Sequence, residues 1–259
     1  MPCSSVEGGN SFTYHRNTRL VMAAPALPTV VLVHGAFADA SGWQAVADGL
    51  RARGHQVLAP ANPLRGVAAD ADYIRDFVST IEGDVVLVGH SYGGCVITNA
   101  STDAPNVRAL VYIAAFAPDE GETLLESIAL GGGRTGLGEH LVQRPYPGAP
   151  EGDADGYLDL AFFHQLFCAD LDAGLAHFMG VAQRGFALSC LSTPSGVPGW
   201  RTIPSWYLVA ADDATIPPEA ERAMAKRAGA HTVEVTASHV AMISKPAETI
   251  DLIVTASGG

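Results

Sequence analysis

Val85-Val86-Leu87-Val88-Gly89-His90-Ser91-Tyr92-Gly93-Gly94 is the stretch from which the rest of the chain can be organised. Four aliphatic residues in a row, with no polar alternation, read as a strand buried on both faces, the kind found in a parallel sheet covered by helices. Glycines at 89, 93 and 94 then mark a sharp turn, and a helix is expected from there to about Thr102. Ser91 stands at the apex of this strand–turn–helix unit. A serine there can be held in a strained backbone conformation that lifts its Oγ, and small neighbours are needed on either side. The N-terminus of the following helix favours negative charge that develops nearby.

The same pattern recurs outward from this unit. Thr29–Val33 (TVVLV) is a second continuous apolar run, ending at His34-Gly35. Ser41 is placed to cap a helix carrying Trp43, Val46, Ala47 and Leu50, which Gly54 terminates. Gln56–Ala59 reads as a strand, and 69–82 as a helix with Tyr73, Ile74, Phe77, Val78 and Ile81 on one stripe. Arg108–Ala114, Trp206–Ala210 and Thr232–Val235 are further strands; helices are expected from Pro217-Pro218 to Gly229 and over Pro246–Val254. Strands alternating with helices predict an α/β fold, a mainly parallel sheet with helices on both faces. The interval of about 118–203 breaks the rhythm. It shows no clear buried strand, has Gly- and Pro-rich loops, and offers a helix capped by Asp170 with Leu171, Leu175, Phe178, Met179 and Ala182 on one face. It reads as a helical lid insertion. Residues 28–259 are expected to form one domain, and 1–27 a loose N-terminal tail.

Composition narrows the function classes. The chain is 48% hydrophobic and 16% charged, enough for a large core. Its 27 acidic residues outweigh 15 basic ones, for a net charge of −12 with no basic run, so no nucleic-acid partner is expected. No apolar run reaches the roughly 18 residues of a membrane span. Cys3, Cys95, Cys168 and Cys190 are widely spaced and lack metal-ligand spacing, so no metal is expected and a reducing, cytoplasmic setting fits.

A nucleophilic serine needs a base. Among nine histidines, His239 lies in Ala237-Ser238-His239-Val240, just past the last strand. In a parallel sheet the loops after the strands gather at one edge, where His239 and Ser91 should meet. The acid should follow the preceding strand, where Asp212 and Asp213 both qualify. Acyl transfer also needs donors for an oxyanion. The N–H of Tyr92 is one, and His34-Gly35-Ala36-Phe37 supplies the other, with Ala36 first and Phe37 second.

The H-G-A-F turn, the G-H-S-Y-G-G elbow, the D-x-x-I-P segment and the S-H-V-A-M turn occur in this order, and together they resemble the α/β-hydrolase superfamily. The closer likeness is to its small lid-bearing branch of carboxylesterases, methylesterases and hydroxynitrile lyases. The resemblance covers nearly the whole chain from about residue 28. It implies a Ser91–His239–Asp213 triad, choosing Asp213 over Asp212, and a small-molecule ester as substrate, with neither metal nor organic cofactor. Hydroxynitrile lyases of this branch carry a threonine after the oxyanion-loop histidine and a lysine after the catalytic histidine. Gly35 and Val240 stand at those positions here, which favours ester hydrolysis. Phe37, Phe116, Phe163, His164 and Phe178 are the expected substrate contacts, for an apolar or aromatic ester. The alternatives are a non-hydrolytic lyase, cyclase or cofactor-free oxidative enzyme on this scaffold, and a ligand receptor.

Overall fold

The computed structural model describes residues 27–258. Apart from Leu27, the expected N-terminal tail, with Cys3 and His15, lies outside the described residues. The chain runs β1 (Thr29–Val33), α1 (Gln44–Ala52), β2 (Val57–Leu58), α2 (Val67–Ser79), β3 (Val85–Ser91), α3 (Tyr92–Ala100) and β4 (Val107–Ala115). An insertion follows, holding α4 (Leu124–Ile128), β5 (Leu141–Arg144), β6 (Asp155–Leu158), α5 (Leu160–Phe167), α6 (Ala173–Val181) and β7 (Phe186–Ala187). The alternation then resumes with β8 (Ser205–Ala210), α7 (Pro218–Arg227), β9 (His231–Val235), α8 (Ala241–Ser244) and α9 (Pro246–Ala256).

The main sheet has six strands in the order β2-β1-β3-β4-β8-β9, all parallel. Every residue of β1 and β3 is buried. Each fully buried Val or Leu there stabilises the sheet centre by about 2 kcal/mol. Connections between parallel strands are right-handed. The chain moves one way from β1 to β2 and back the other way from β2 through β3 to β4. The helix α1 therefore covers one face, and α2 and α3 the other. The pairs α1·α9 and α2·α3 pack together as this requires. Between β1 and β3 the direction of winding reverses, and the loops leaving these two strands diverge into a crevice, where α/β proteins bind ligands.

Three readings of the sequence are corrected by the structure. The insertion is not purely helical, because β5, β6 and β7 form an antiparallel sheet of their own. The helix expected from Asp170 starts later. Asp172 caps α6 by accepting from the N–H groups of Gly174 and Leu175, while Asp170 serves elsewhere. Asp39, rather than Ser41, caps the 3-10 turn Ala40–Trp43 that leads into α1.

Candidate active site

Ser91 ends β3 and has φ 54 and ψ −126, a conformation that L-residues avoid. The Phe116 N–H donates to its carbonyl at 3.1 Å and holds the turn from the neighbouring strand. Glycine is required beside it: a Cβ on Gly89 would lie 2.5 Å from the Gly93 carbonyl oxygen. Helix α3 begins at Tyr92, so the Tyr92 N–H is a first-turn donor with no intrahelical acceptor. The Tyr92 hydroxyl donates to buried Asp70 at 2.8 Å, fixing the elbow to the start of α2.

The loop after β1 faces this turn. A Cβ on Gly35 would lie 2.5 Å from Ser91 Cβ and 3.1 Å from its Oγ, so the two backbones touch. Asn62 clamps the loop: its N–H donates to His34 Nε2 at 2.9 Å and its Nδ2 to the His34 carbonyl at 3.0 Å. His34 Nδ1 in turn donates to the Gly35 carbonyl at 2.9 Å. The N–H groups of Ala36 and Phe37 meet no acceptor among the described residues. Gly35→Thr is expected to displace Ser91 and lower turnover by about 10²-fold, with a loss of stability of about 1–3 kcal/mol from overpacking. Steady-state kinetics and a thermal melt on the same preparation check both.

His239 follows β9 and is fully buried. Its Nδ1 donates to Asp213 Oδ2 at 2.5 Å. Asp213 Oδ1 accepts from the N–H groups of Thr215 at 2.6 Å and Ile216 at 2.9 Å, so the carboxylate is held at both oxygens. Asp212, its neighbour, is exposed. His239 Nε2 is buried and has no hydrogen-bond partner among the described residues, Ser91 Oγ included.

His90 is a residue of this site that sequence reasoning passed over. It is fully buried, and its Nε2 donates to the His239 carbonyl at 2.9 Å, tying the elbow to the histidine loop. Its ring lies 4.7 Å from that of His239. Burial, and then the nearby His239, keep it well below the usual imidazole range, so it stays neutral. Its only signal was its place as the second residue of the G-x-S-x-G motif. Burial pushes the thiols of Cys168 and Cys190 up to about 12, which leaves them inert as nucleophiles. Among the described residues no cluster of His, Cys, Asp and Glu could hold a metal, and no helix is long and apolar enough to cross a membrane.

The insertion is tied to these loops. Asp170 accepts from the Ser238 N–H at 3.0 Å and from the Ser238 hydroxyl, immediately before His239. The hydroxyls of Thr215 and Thr135 donate to the carbonyls of Leu166 and Ala214, each at 2.8 Å, on the acid's side. Between the insertion and the core lies a cleft of about 730 Å³. Leu175, Phe178 and Met179 of α6 form one wall; Ala45 of α1, Met242 and Ile243 of α8 stand opposite. Its inner end is Phe37, Phe167 and Val240, and the Phe167 ring sits 5.0 Å from that of His239.

Of the expected substrate contacts, Phe37 and Phe178 line this cleft. Phe116, Phe163 and His164 do not: Phe116 is buried at the end of β4, Phe163 packs on Phe167 at 4.9 Å, and His164 Nε2 donates to the Leu171 carbonyl at 3.0 Å. The apolar stripe read on α6 was sound as a stripe. Its Leu175, Phe178, Met179 and Ala182 line the cleft, Leu171 lies before α6 and packs on the core, and Ala176 and Gly180 face inward.

A profile described as "Alpha/beta hydrolase family" matches residues 30–252. The chain belongs to the alpha/beta hydrolase family. Within it, the chain is 43% identical to a carbendazim-hydrolysing esterase of Nocardioides sp. over 108 residues, a match spanning 37% of this chain and 45% of that relative. It is 27% identical to norfluorocurarine synthase 2 of Strychnos sp. over 264 residues, covering 86% of this chain and 93% of the relative. Among solved structures, a pyrethroid hydrolase from Sphingobium faniae superimposes with a TM-score of 0.73 at 23% identity, over 90% of this chain and 98% of that one. This alpha/beta hydrolase thus shares its fold with distant relatives.

Proposed function

We propose that this chain is a serine esterase that cleaves a carboxylic ester of a small apolar or aromatic substrate through an acyl-enzyme. The observation that carries the reading is the His239 Nδ1–Asp213 contact, formed at the sheet edge where the strained turn presents Ser91. The relatives named as esterase and hydrolase support the same reaction.

In this mechanism Ser91 Oγ attacks the ester carbonyl while His239 Nε2 takes its proton. Asp213 stabilises the imidazolium and fixes the tautomer that leaves Nε2 free to act. The N–H groups of Ala36 and Tyr92 hold the oxyanion. Protonated His239 then gives its proton to the leaving alcohol, and water activated by the same histidine releases the acid. The apolar body of the substrate occupies the cleft beside α6. Phe167 both lines the cleft and lies 5.0 Å from the His239 ring, so it connects the cleft to the base. Phe178 is 64% exposed on the cleft wall, so truncating it leaves the core intact. Phe178→Ala is expected to raise KM by about tenfold for an aryl ester with kcat nearly unchanged, as a steady-state comparison would reveal.

The deciding experiment pairs two readouts: hydrolysis of short-chain p-nitrophenyl esters with a stoichiometric burst, and labelling by a fluorophosphonate mapped by peptide mass. A burst together with a label on Ser91 supports the reading. A second reading, a non-hydrolytic enzyme on this scaffold, is favoured by the likeness to a synthase. A folded protein that is labelled at Ser91 yet turns over no ester would select it.

A further inference from the structure

On the side of Asp213 away from His239 lies a second carboxyl, Glu221, near the start of α7. It is fully buried. Its Oε2 accepts the Ala210 N–H at 3.0 Å, at the end of β8. Its Oε1 is buried with no hydrogen-bond partner among the described residues. The Asp213 N–H donates to the carbonyl of the same Ala210 at 3.2 Å, which sets the two acidic residues side by side at the end of β8. Burial beside a second carboxyl favours the neutral form of one of the two. Asp213 has three donors aimed at it, from Thr215, Ile216 and His239. Glu221 has one. The proton therefore belongs on Glu221, and the acceptor facing it is Asp213.

Among the described residues, the neighbouring cations on α7 are engaged with other acids. On β8, the Tyr207 hydroxyl donates to the Ala115 carbonyl. Arg222 on the same helix is held by Glu234 of β9 at 2.7 and 2.9 Å. The turn Leu130–Gly132, packed on α7, has no titratable side chain, and Glu126 of α4 is engaged in its own cap with Thr123. Arg227, further along α7, pairs with Glu122 at 2.6 Å.

We propose that Glu221 is a positioning residue, a neutral carboxylic acid whose Oε1–H donates to Asp213 and holds the carboxylate against His239. The inference deepens the serine-esterase reading and rests on it for its catalytic consequence. The proton is held and not transferred. Burial first, then the Asp213 charge and the contact with it, push the Glu221 carboxyl well above its ordinary range.

Wild type, Glu221→Gln and Glu221→Met are to be compared in kcat, KM and thermal midpoint from pH 5 to 8. Gln keeps both contacts, its amide N–H on Asp213 and its oxygen on the Ala210 N–H, so kcat is expected to stay within about threefold. Met removes both, and kcat is expected to fall about tenfold at unchanged KM. In the unfolded wild type Glu221 ionises above about pH 4.3, whereas in the folded protein it stays protonated. Wild type therefore loses stability relative to Glu221→Gln as pH rises, and the midpoint gap in favour of Gln should widen by about 3 °C per pH unit between pH 5 and 7. A gap that stays flat shows an ionised Glu221 and overturns the proposal. Wild-type kcat in Glu221→Met, or a tenfold loss in Glu221→Gln, overturns it as well. Should Met fail to fold, the Gln variant still decides. The thermal readout needs no turnover, so it stands even if the esterase reading fails.

Discussion

Ser91→Ala is expected to lower ester turnover by about 10⁴- to 10⁶-fold, leaving only what the oxyanion donors and the cleft supply. The thermal midpoint should move by no more than about 3 °C, because the side chain supports no buried contact on which the fold depends. The turn is held through its backbone, by the Phe116 N–H on the Ser91 carbonyl, and alanine keeps that bond. Among the described residues no thiol can substitute as nucleophile, since Cys95, Cys168 and Cys190 are all buried. Stopped assays with p-nitrophenyl acetate, alongside a circular-dichroism melt, separate lost chemistry from lost structure. Residual turnover above about one part in a hundred would remove Ser91 from its assigned role.

Asp213→Asn is expected to cost about 10⁴-fold in kcat, while Asp212→Asn changes it by less than about threefold. The asymmetry follows from the donors around each residue. In Asp213→Asn the amide oxygen must stay on the N–H groups of Thr215 and Ile216, or two buried donors are left unpaired. The amide NH₂ then points at His239 Nδ1, where the carboxylate now accepts. The imidazole responds by moving its proton to Nε2 and ceases to be a base towards Ser91. Asp212 is exposed and only its backbone is engaged, through its N–H on the Ala237 carbonyl at 3.1 Å. Equal losses in the two variants, measured at saturating ester, would reassign the acid.

Much of the architecture was legible because a parallel sheet buries its strands on both faces. TVVLV and VVLV leave no other reading, and the Gly-rich elbow between β3 and α3 announced itself by spacing. The motifs also pointed to the loops that now meet at one edge. What escaped was structure without a hydrophobic signature. The strands β5, β6 and β7 span four, four and two residues, and β5 is largely exposed, so neither length nor periodicity marked them. Asp170 and Asp172 are equally good caps by sequence, and only the tertiary contact with Ser238 takes Asp170 away. On α2, Tyr73 was read into the buried stripe, yet it is half exposed; Val67, Ala71, Ile74 and Val78 form the packed face. Glu221 carries no mark of burial in the local sequence. Its burial depends on how α7 docks on β8, which no local pattern encodes.

The placement of the insertion has a consequence for how this molecule can diversify. It interrupts the connection between Ala115 at the end of β4 and Ser205 at the start of β8, strands that pair side by side. Closing a chain segment costs entropy that grows only with the logarithm of its length. A segment four times longer than a plain crossover adds about 1.2 kcal/mol, two doublings' worth. The insertion can therefore be lengthened, shortened or exchanged while the strand pairing that carries the elbow hardly registers the change. Descendants of one catalytic edge can thus acquire new clefts by trading a single detachable segment.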